Sequence, residues 1–311
     1  MTDFPVGLPR SWRRMVFTAS RLLSAFVCLA LLLRANRHWQ VRQQTPQFHL
    51  VPRNGWQAHV RKMRCRATNT MEWSGEGSVP VAPGPGCWLL PVTDEMSLRI
   101  AQQQDQLQAA GWKLISSEER VIRTLGNKAS LHKHAQRLGL HRNLPRHYAS
   151  PQVAKYPCIL KAAEGSHGKN IYIVHSKEDV LNVTRSGFGS EWLLQELVPG
   201  SVELSVSLLV SKGQILHAIL MSYEYDEEAY VWPKVKEVRK ELISDIPTEH
   251  VEVMRRFLAG YSGICNFNYK VRADGTMAIF EINTRIGADL ACDVPRQRAA
   301  SLFRRLDEKC S

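Results

Sequence analysis

The stretch GICNFNYKVRADGTMAIFEINTR, residues 263–285, decides the fold. Ile264 to Val271 is an apolar-rich run, Ala273-Asp274-Gly275 supplies turn chemistry, and Met277 to Ile282 is a second run. Two such runs around an Asp-Gly turn predict an antiparallel hairpin. Side chains alternate across a strand, so Asn266, Asn268 and Lys270 form one set and Cys265, Phe267 and Tyr269 the opposite one. On the second strand Glu281 and Asn283 share a face, with Ile282 turned away. Pairing through the turn therefore brings Asn268 beside Glu281 and Asn283, with Arg285 just beyond.

Three oxygen-bearing side chains, one of them a carboxylate, suit a hard cation such as Mg²⁺ that keeps waters and shares its other positions with substrate phosphates. The alternative is the polar face of an ordinary hairpin.

GICNFNYK, an Asp-Gly turn and FEINTR together resemble the metal-binding end of the ATP-grasp superfamily, which includes carbamoyl-phosphate synthetase, biotin carboxylase and D-alanine–D-alanine ligase. The resemblance implies that Glu281 and Asn283 bind Mg²⁺ (or Mn²⁺) held on ATP phosphates. It implies that Arg285 contacts a phosphate or acyl phosphate. Asn268 stands where many members have Asp, which removes one negative charge from the metal set and leaves two-metal occupancy open.

Upstream segments fall in the order this resemblance implies. VIRTLGNKASLHKHAQRLGLHRNLP predicts a helix from about Lys128 to Leu138, stopped by Gly139 and followed by Pro145. By its residues alone Lys128 is a solvated helix lysine; by the resemblance it reaches the ATP phosphates. Tyr156 to Lys161 predicts a strand that delivers a lysine to a small-residue loop, Ala162 to Asn170, and Ile171 to Val174 the return strand. Such a loop lets backbone N–H groups approach a phosphate while Lys161 supplies charge. The spacing is not that of a Walker A loop, which opens a helix with Gly-Lys-Ser/Thr. The resemblance makes Lys161 a nucleotide contact and Glu164, Gly165, Ser166, His167 and Gly168 a closing lid; an exposed hairpin loop is the plain alternative. In Trp192 to Gly200 a strand meets a Pro-Gly turn, and the resemblance places the adenine edge at Glu196, Leu197 and Val198 and the ribose at Glu203. Tyr223 to Trp232, acidic and aromatic, reads as a solvated hairpin tip, with a cover over the acceptor site as the alternative. Thr248 to Leu258 predicts an amphipathic helix.

The first 115 residues are less specific. Residues 67–86 read as a Gly/Pro/Ser-rich loop, and Cys87 to Val92 as a buried strand. Thr93 or Asp94 then caps a helix from Met96 to Ala110 that stops at Gly111, so Asp94-Glu95 reads as a simple N-cap pair. Met15 to Leu33 is apolar apart from Arg21 and a few small polar groups, and Arg13, Arg14, Arg34 and Arg37 flank it. It divides into a strand at 14–19, a loop and a helix at 24–36, the opening of a small α/β domain like the one that precedes an ATP-grasp core. Alternatively it is a membrane anchor or targeting segment at 15–33.

The net charge of +12 invites nucleic acid, but its distribution argues against that partner. Residues 1–70 hold 12 of the 41 Lys+Arg and one acidic residue, Asp3; the remainder holds 29 basic and 28 acidic residues. Neither a zinc-finger spacing nor an aromatic-basic RNA motif occurs. Seven scattered cysteines without a CxxC pair point to a reducing compartment, hence a cytoplasmic location, or a membrane-associated one if 15–33 is an anchor.

The expected fold is α+β: a basic tail at 1–13, a reduced α/β domain at 14–115, then ATP-grasp lobes at 116–197 and 198–311. The implied function is an ATP- and Mg²⁺-dependent ligase that activates a small-molecule carboxylate as an acyl phosphate for attack by an amine. The alternatives are an ATP-binding protein without turnover and a membrane-tethered protein whose basic N-terminus is the working part.

Overall fold

The computed structural model describes residues 47–51, 68–162, 170–185, 187–189, 191–231 and 233–310. The strand, helix and anchor proposed within 14–41 and the lid at 164–168 lie outside the described residues. Among the described residues no helix is long and apolar enough to cross a membrane.

The hairpin forms as its pattern predicts. Strand β11 (Gly263–Val271) pairs antiparallel with β12 (Met277–Asn283). At the turn, Thr276 N–H bonds the Asp274 carboxylate at 2.9 Å, and Gly275 takes a φ of 81° that suits a residue without Cβ. Asn268 lies opposite Glu281, and Asn266 opposite Asn283. The pairing then slips: Tyr269 faces Ile279, so Phe280 is an extra residue. This bulge tightens the local twist without disturbing the register of the polar pairs.

These strands close one side of a five-stranded antiparallel sheet. Its other members are β8 (Val202–Ser211), β9 (Gln214–Tyr225) and β10 (Glu237–Ile243), in the order β10-β9-β8-β11-β12. A four-stranded antiparallel sheet holds β4 (His147–Tyr148), β5 (Cys158–Ala162), β6 (Ile171–Val174) and β7 (Trp192–Glu196), in the order β4-β7-β5-β6. A three-stranded parallel sheet holds β1 (Gln47–Val51), β2 (Thr68–Thr70) and β3 (Cys87–Pro91), with β1 central. The mixture of helices and antiparallel sheets is α+β, and the parallel sheet, packed on both faces, has the character of an α/β unit.

The helices show where the lobes divide. Helices α1 (Asp94–Gln102) and α2 (Gln104–Ala109) bury Met96, Ile100 and Leu107 against the three-stranded sheet. The single helix expected over Met96 to Ala110 breaks at Gln103, whose amide donates to the Gly75 carbonyl at 2.7 Å. Helices α3 (Glu119–Gly126) and α4 (Lys128–Arg137) precede the four-stranded sheet in sequence. Yet Leu125, Leu131 and Ala135 pack with Val206, Phe267 and Ile282 of the five-stranded sheet. Helices expected in the lobe at 116–197 therefore share their core with the lobe expected at 198–311. The four-stranded sheet has its own cluster, Tyr148, Cys158, Leu160, Val174 and Leu194, joined by Val180 of α5 (Lys177–Thr184). Helix α6 (Thr248–Phe257) covers one face of the large sheet through Met254 and Phe257. Helices α7 (Ala288–Cys292) and α8 (Arg296–Cys310) cover part of the other. There Phe303 and Leu306 pack with Phe48 and Trp88 of the parallel sheet and Ile219 of β9, so two sheets share one core.

Phe267 is fully buried at the centre of this packing. Phe267→Ala should lower the free energy of urea unfolding by about 3–5 kcal/mol, the cost of losing a buried ring and leaving a cavity. A loss below about 1 kcal/mol would show that this face is not a tightly packed core.

Candidate active site

Strand register places one row of polar groups on the sheet face left uncovered by α6. Ser205 and Ser207 of β8 lie opposite Asn268 and Asn266 of β11, which lie opposite Glu281 and Asn283 of β12. Glu203, Lys270 and the edge of α7 extend the row. Each position is fixed by alternation, since Val206, Phe267 and Ile282 must occupy the apolar side.

Asn283 Nδ2 donates to Glu281 Oε1 at 3.0 Å and to Asn268 Oδ1 at 3.4 Å. Its Oδ1 accepts from Arg285 Nη2 at 3.0 Å. The three side chains assigned from sequence thus meet, and each carries an oxygen of the kind a hard cation takes. Asn283 presents its nitrogen to the other two; a half-turn of the amide, at the cost of the Arg285 contact, presents its oxygen. Arg285 is further held by the Ile286 carbonyl and pairs with Asp94 at 3.5 Å.

Lys161 comes from near the end of β5, an inner strand of the four-stranded sheet. It is buried, and its pKa is lowered to about 7 by burial first and the Lys128 charge second, with Glu281 opposing. Lys128, at the start of α4 where Asn127 caps the helix, is near enough to act on it. Lys161, with Lys128 beside it, therefore faces the Glu281 corner. A buried, partly discharged lysine is the electrostatic signature of a place that an anion would stabilise.

At the other end of the row, Glu203 accepts from the Tyr230 hydroxyl at 3.0 Å. Burial pushes its pKa up to about 7, while Tyr230 and Lys270 pull it down. Lys270 Nζ donates to the carbonyls of Val198 and Glu228, each at 3.3 Å, and sits 4.0 Å above the Tyr230 ring. Burial lowers its pKa to about 8 against the charges of Glu203 and Glu228. A cavity of about 290 Å³ opens beside Tyr230, between Val231 and Ile171 and Ile173 of β6.

Several expectations change here. Tyr223 and Tyr225 are buried in β9 and Tyr230 is half-buried against Lys270, so among the described residues of the acidic-aromatic run only 226–229 form the solvated tip expected of it. Asp94 is not a simple cap: Thr93 caps α1, and the Asp94 carboxylate accepts from Thr284 N–H and pairs with Arg285. The Glu196 carboxylate faces away from the row. It accepts from Arg146 N–H at 2.9 Å and from Arg272 Nη2 at 2.8 Å, and Arg272 also holds the carbonyls of Arg142, Leu144 and Met277. Leu197 makes no polar side-chain contact, and Val198 offers the carbonyl that Lys270 takes. Sequence reasoning gave Lys270 a face and Asp94 a cap but no place in the site, and it singled out neither Tyr230 nor Asp289. Lys270 was legible by alternation as a member of the Asn266–Asn268 face; the others join through tertiary packing.

A family model for the ATP-grasp domain matches residues 126–289. The chain belongs to the ATP-grasp family. The matched span starts just ahead of Lys128 and ends at Asp289. No curated protein sequence matches the chain. Among solved structures it is similar to the L-amino acid ligase from Bacillus licheniformis, at 13% identity and a TM-score of 0.60, over 85% of this chain and 74% of that one. VanG D-Ala:D-Ser ligase from Enterococcus faecalis matches at 12% identity and a TM-score of 0.59, over 86% of this chain and all of that one. Biotin carboxylase from Campylobacter jejuni matches at 12% identity and a TM-score of 0.53, over 85% and 71%. At such identities the likeness is one of fold.

Glu196 lends itself to a direct test of the strap that Arg272 forms. Burial pushes its carboxyl up, but the bonds from Arg272 and the Arg146 N–H outweigh this, and its pKa lies below the ordinary 4.5. A lowered folded-state pKa stabilises above the unfolded value and is lost as pH falls through the folded one. Glu196→Gln should therefore cost about 1–3 kcal/mol at pH 7, and the deficit should shrink toward about pH 3 in chemical unfolding. A deficit independent of pH would remove the charge from the account.

Proposed function

We propose that this ATP-grasp protein is an ATP-dependent ligase that joins a small-molecule carboxylate to an amine. The observation that carries it is the meeting of Lys128, Lys161, Glu281, Asn268, Asn283 and Arg285 at the junction of the two antiparallel lobes. In the reaction class this constellation serves, a carboxylate oxygen attacks the γ-phosphorus of ATP and ADP departs. The acyl phosphate formed is then attacked by the amine, releasing inorganic phosphate and giving an amide.

In this proposal Glu281, Asn283 and Asn268 hold magnesium, which when bound neutralises triphosphate charge and makes the γ-phosphorus a better electrophile. The donor set fits: one carboxylate and two amide oxygens are hard ligands, and a single protein charge leaves most of the cation's charge for the phosphates. Lys161 and Lys128 take the phosphate oxygens; Lys161 gains most, because an anion restores the ammonium that burial disfavours. Arg285, held by Asp94, is placed to stabilise charge on the transferring phosphoryl group. The base occupies the cavity between Ile171, Ile173 and Tyr230, with Glu203, bonded to Tyr230, available to a ribose hydroxyl. Residues 164–168 act as the lid that keeps water from the acyl phosphate. A cytoplasmic location and the domain limits 14–115, 116–197 and 198–311 remain part of this proposal, with 116–145 counted with the large lobe's core.

Binding without turnover is the second reading, favoured by the neutral amide at Asn268. An ADP-release assay across a panel of carboxylates and amines separates them. Turnover with one pair supports the ligase, whereas ATP binding with no ADP from any pair supports the second.

Glu281→Gln should lower ADP release by roughly 100-fold or more, with the melting temperature nearly unchanged. Wild-type rates in that variant would remove Glu281 from the metal set. Lys161 gives a pH prediction. Its free pKa is about 7 and phosphate raises it, so binding takes up a proton above pH 7. ATP affinity should fall up to about tenfold per pH unit above 7 and be insensitive to this group below it. Calorimetry at pH 8 in buffers of different ionisation heat should report uptake approaching one proton; none would exclude contact between Lys161 and the phosphates.

A further inference from the structure

We infer that Asp289 and Ser205 are positioning residues that fix which end of the Asn268 amide faces the metal side of the cleft; this rests on the metal set proposed above. The neutral Asn268 creates a need that a carboxylate would not have. A carboxylate offers two equivalent oxygens, whereas an amide offers one oxygen and, turned over, two N–H donors that repel a cation. Something must hold the amide one way round.

The strand register supplies it. Ser205 is directly opposite Asn268, and Ser207 opposite Asn266, with all but Asn268 almost fully buried. Asp289, on the first turn of α7, is buried above them. Its carboxylate accepts from Ser207 Oγ at 3.2 and 3.0 Å, from the Ser205 hydroxyl and from Leu290 N–H. Burial pushes the Asp289 pKa up, and the bonds from Leu290 N–H and the two serine hydroxyls oppose it; a serine hydroxyl has one hydrogen to give. With that hydrogen on Asp289, Ser205 Oγ must act as an acceptor toward its other neighbours. It receives Asn266 Nδ2 at 2.9 Å and Asn268 Nδ2 at 3.4 Å. The Asn268 nitrogen is thereby turned to the sheet, and its Oδ1 is left toward Asn283 and Glu281.

The loop that carries Asp289 is pressed onto this network. A Cβ on Gly287 would lie 2.2 Å from Asp289 Oδ1 and 2.9 Å from Asn266 Cγ, closer than packing allows. The chain of bonds, Asn268 to Ser205 to Asp289, therefore ends on a buried carboxyl that takes both serine hydroxyl hydrogens.

The test measures Mn²⁺ binding by electron paramagnetic resonance of the free ion, with a non-hydrolysable ATP analogue present. Ser205→Ala removes the link and should weaken Mn²⁺ about tenfold or more, the usual scale for residues that orient metal ligands. Asn268→Asp needs no orientation, so in that background Ser205→Ala should change Mn²⁺ affinity by less than about twofold. Asp289→Asn should act like Ser205→Ala; if that variant does not fold, the serine variants still decide. Unchanged Mn²⁺ affinity in Ser205→Ala, or an equal loss in both backgrounds, overturns the positioning role while leaving the metal set standing. A wild-type chain that binds no Mn²⁺ with the analogue removes the metal set and this inference together.

Discussion

The register between β8, β11 and β12 is the constraint on which the rest depends. One face of these strands is locked by Val206, Phe267 and Ile282 against α3, α4 and α6. A slip of one residue would send those side chains into the cleft and bury the amides and carboxylates in a hydrocarbon layer, at a cost of several kcal/mol. The apolar face therefore positions the polar one. Glu281, Asn283 and Asn268 stand together because Ile282 and Phe267 have nowhere else to go.

The polar face is assembled at an electrostatic cost that neighbouring charges offset in part. Lys161 and Lys128 approach each other, and burial discharges Lys161 toward neutrality. Glu203 and Lys270, at the far end of the row, moderate each other's burial and are joined by the Tyr230 hydroxyl and ring. Beneath the proposed metal set, the Asp289 carboxyl takes bonds from the Ser207 and Ser205 hydroxyls and from Leu290 N–H. A buried lysine beside a second cation lies where the proposal puts phosphates; hydrogen-bonded polar groups lie beneath the proposed metal set.

Loops and helix ends tie the sheets together around this row. Arg272 at the end of β11 gathers Glu196 and three carbonyls, so the strand that carries Asn268 also anchors the connection out of the four-stranded lobe. Trp88 of the parallel sheet donates to Asp307 of α8, and Ile286, just after Arg285, bonds the Pro91 carbonyl. The parallel sheet is thus attached at the loop that completes the site, through Asp94 and Arg285 as well as through the shared apolar core.

The sequence by itself determined the hairpin, its turn and the company kept by Asn268, Glu281 and Asn283, because two-residue alternation and an Asp-Gly turn are local rules. It also determined the strand end that presents Lys161 and the helix that begins at Lys128, from apolar runs and caps. Only the tertiary structure decided that α3 and α4 serve the five-stranded sheet, that Tyr230 leaves its acidic run to meet Lys270 and Glu203, and that Glu196 turns to Arg272. It alone brought Asp94 to Arg285 and Asp289 to Ser205. Those choices join residues tens to nearly two hundred positions apart, and which buried polar group finds which partner is settled by how the sheets and helices pack, not by the periodicity of any one segment.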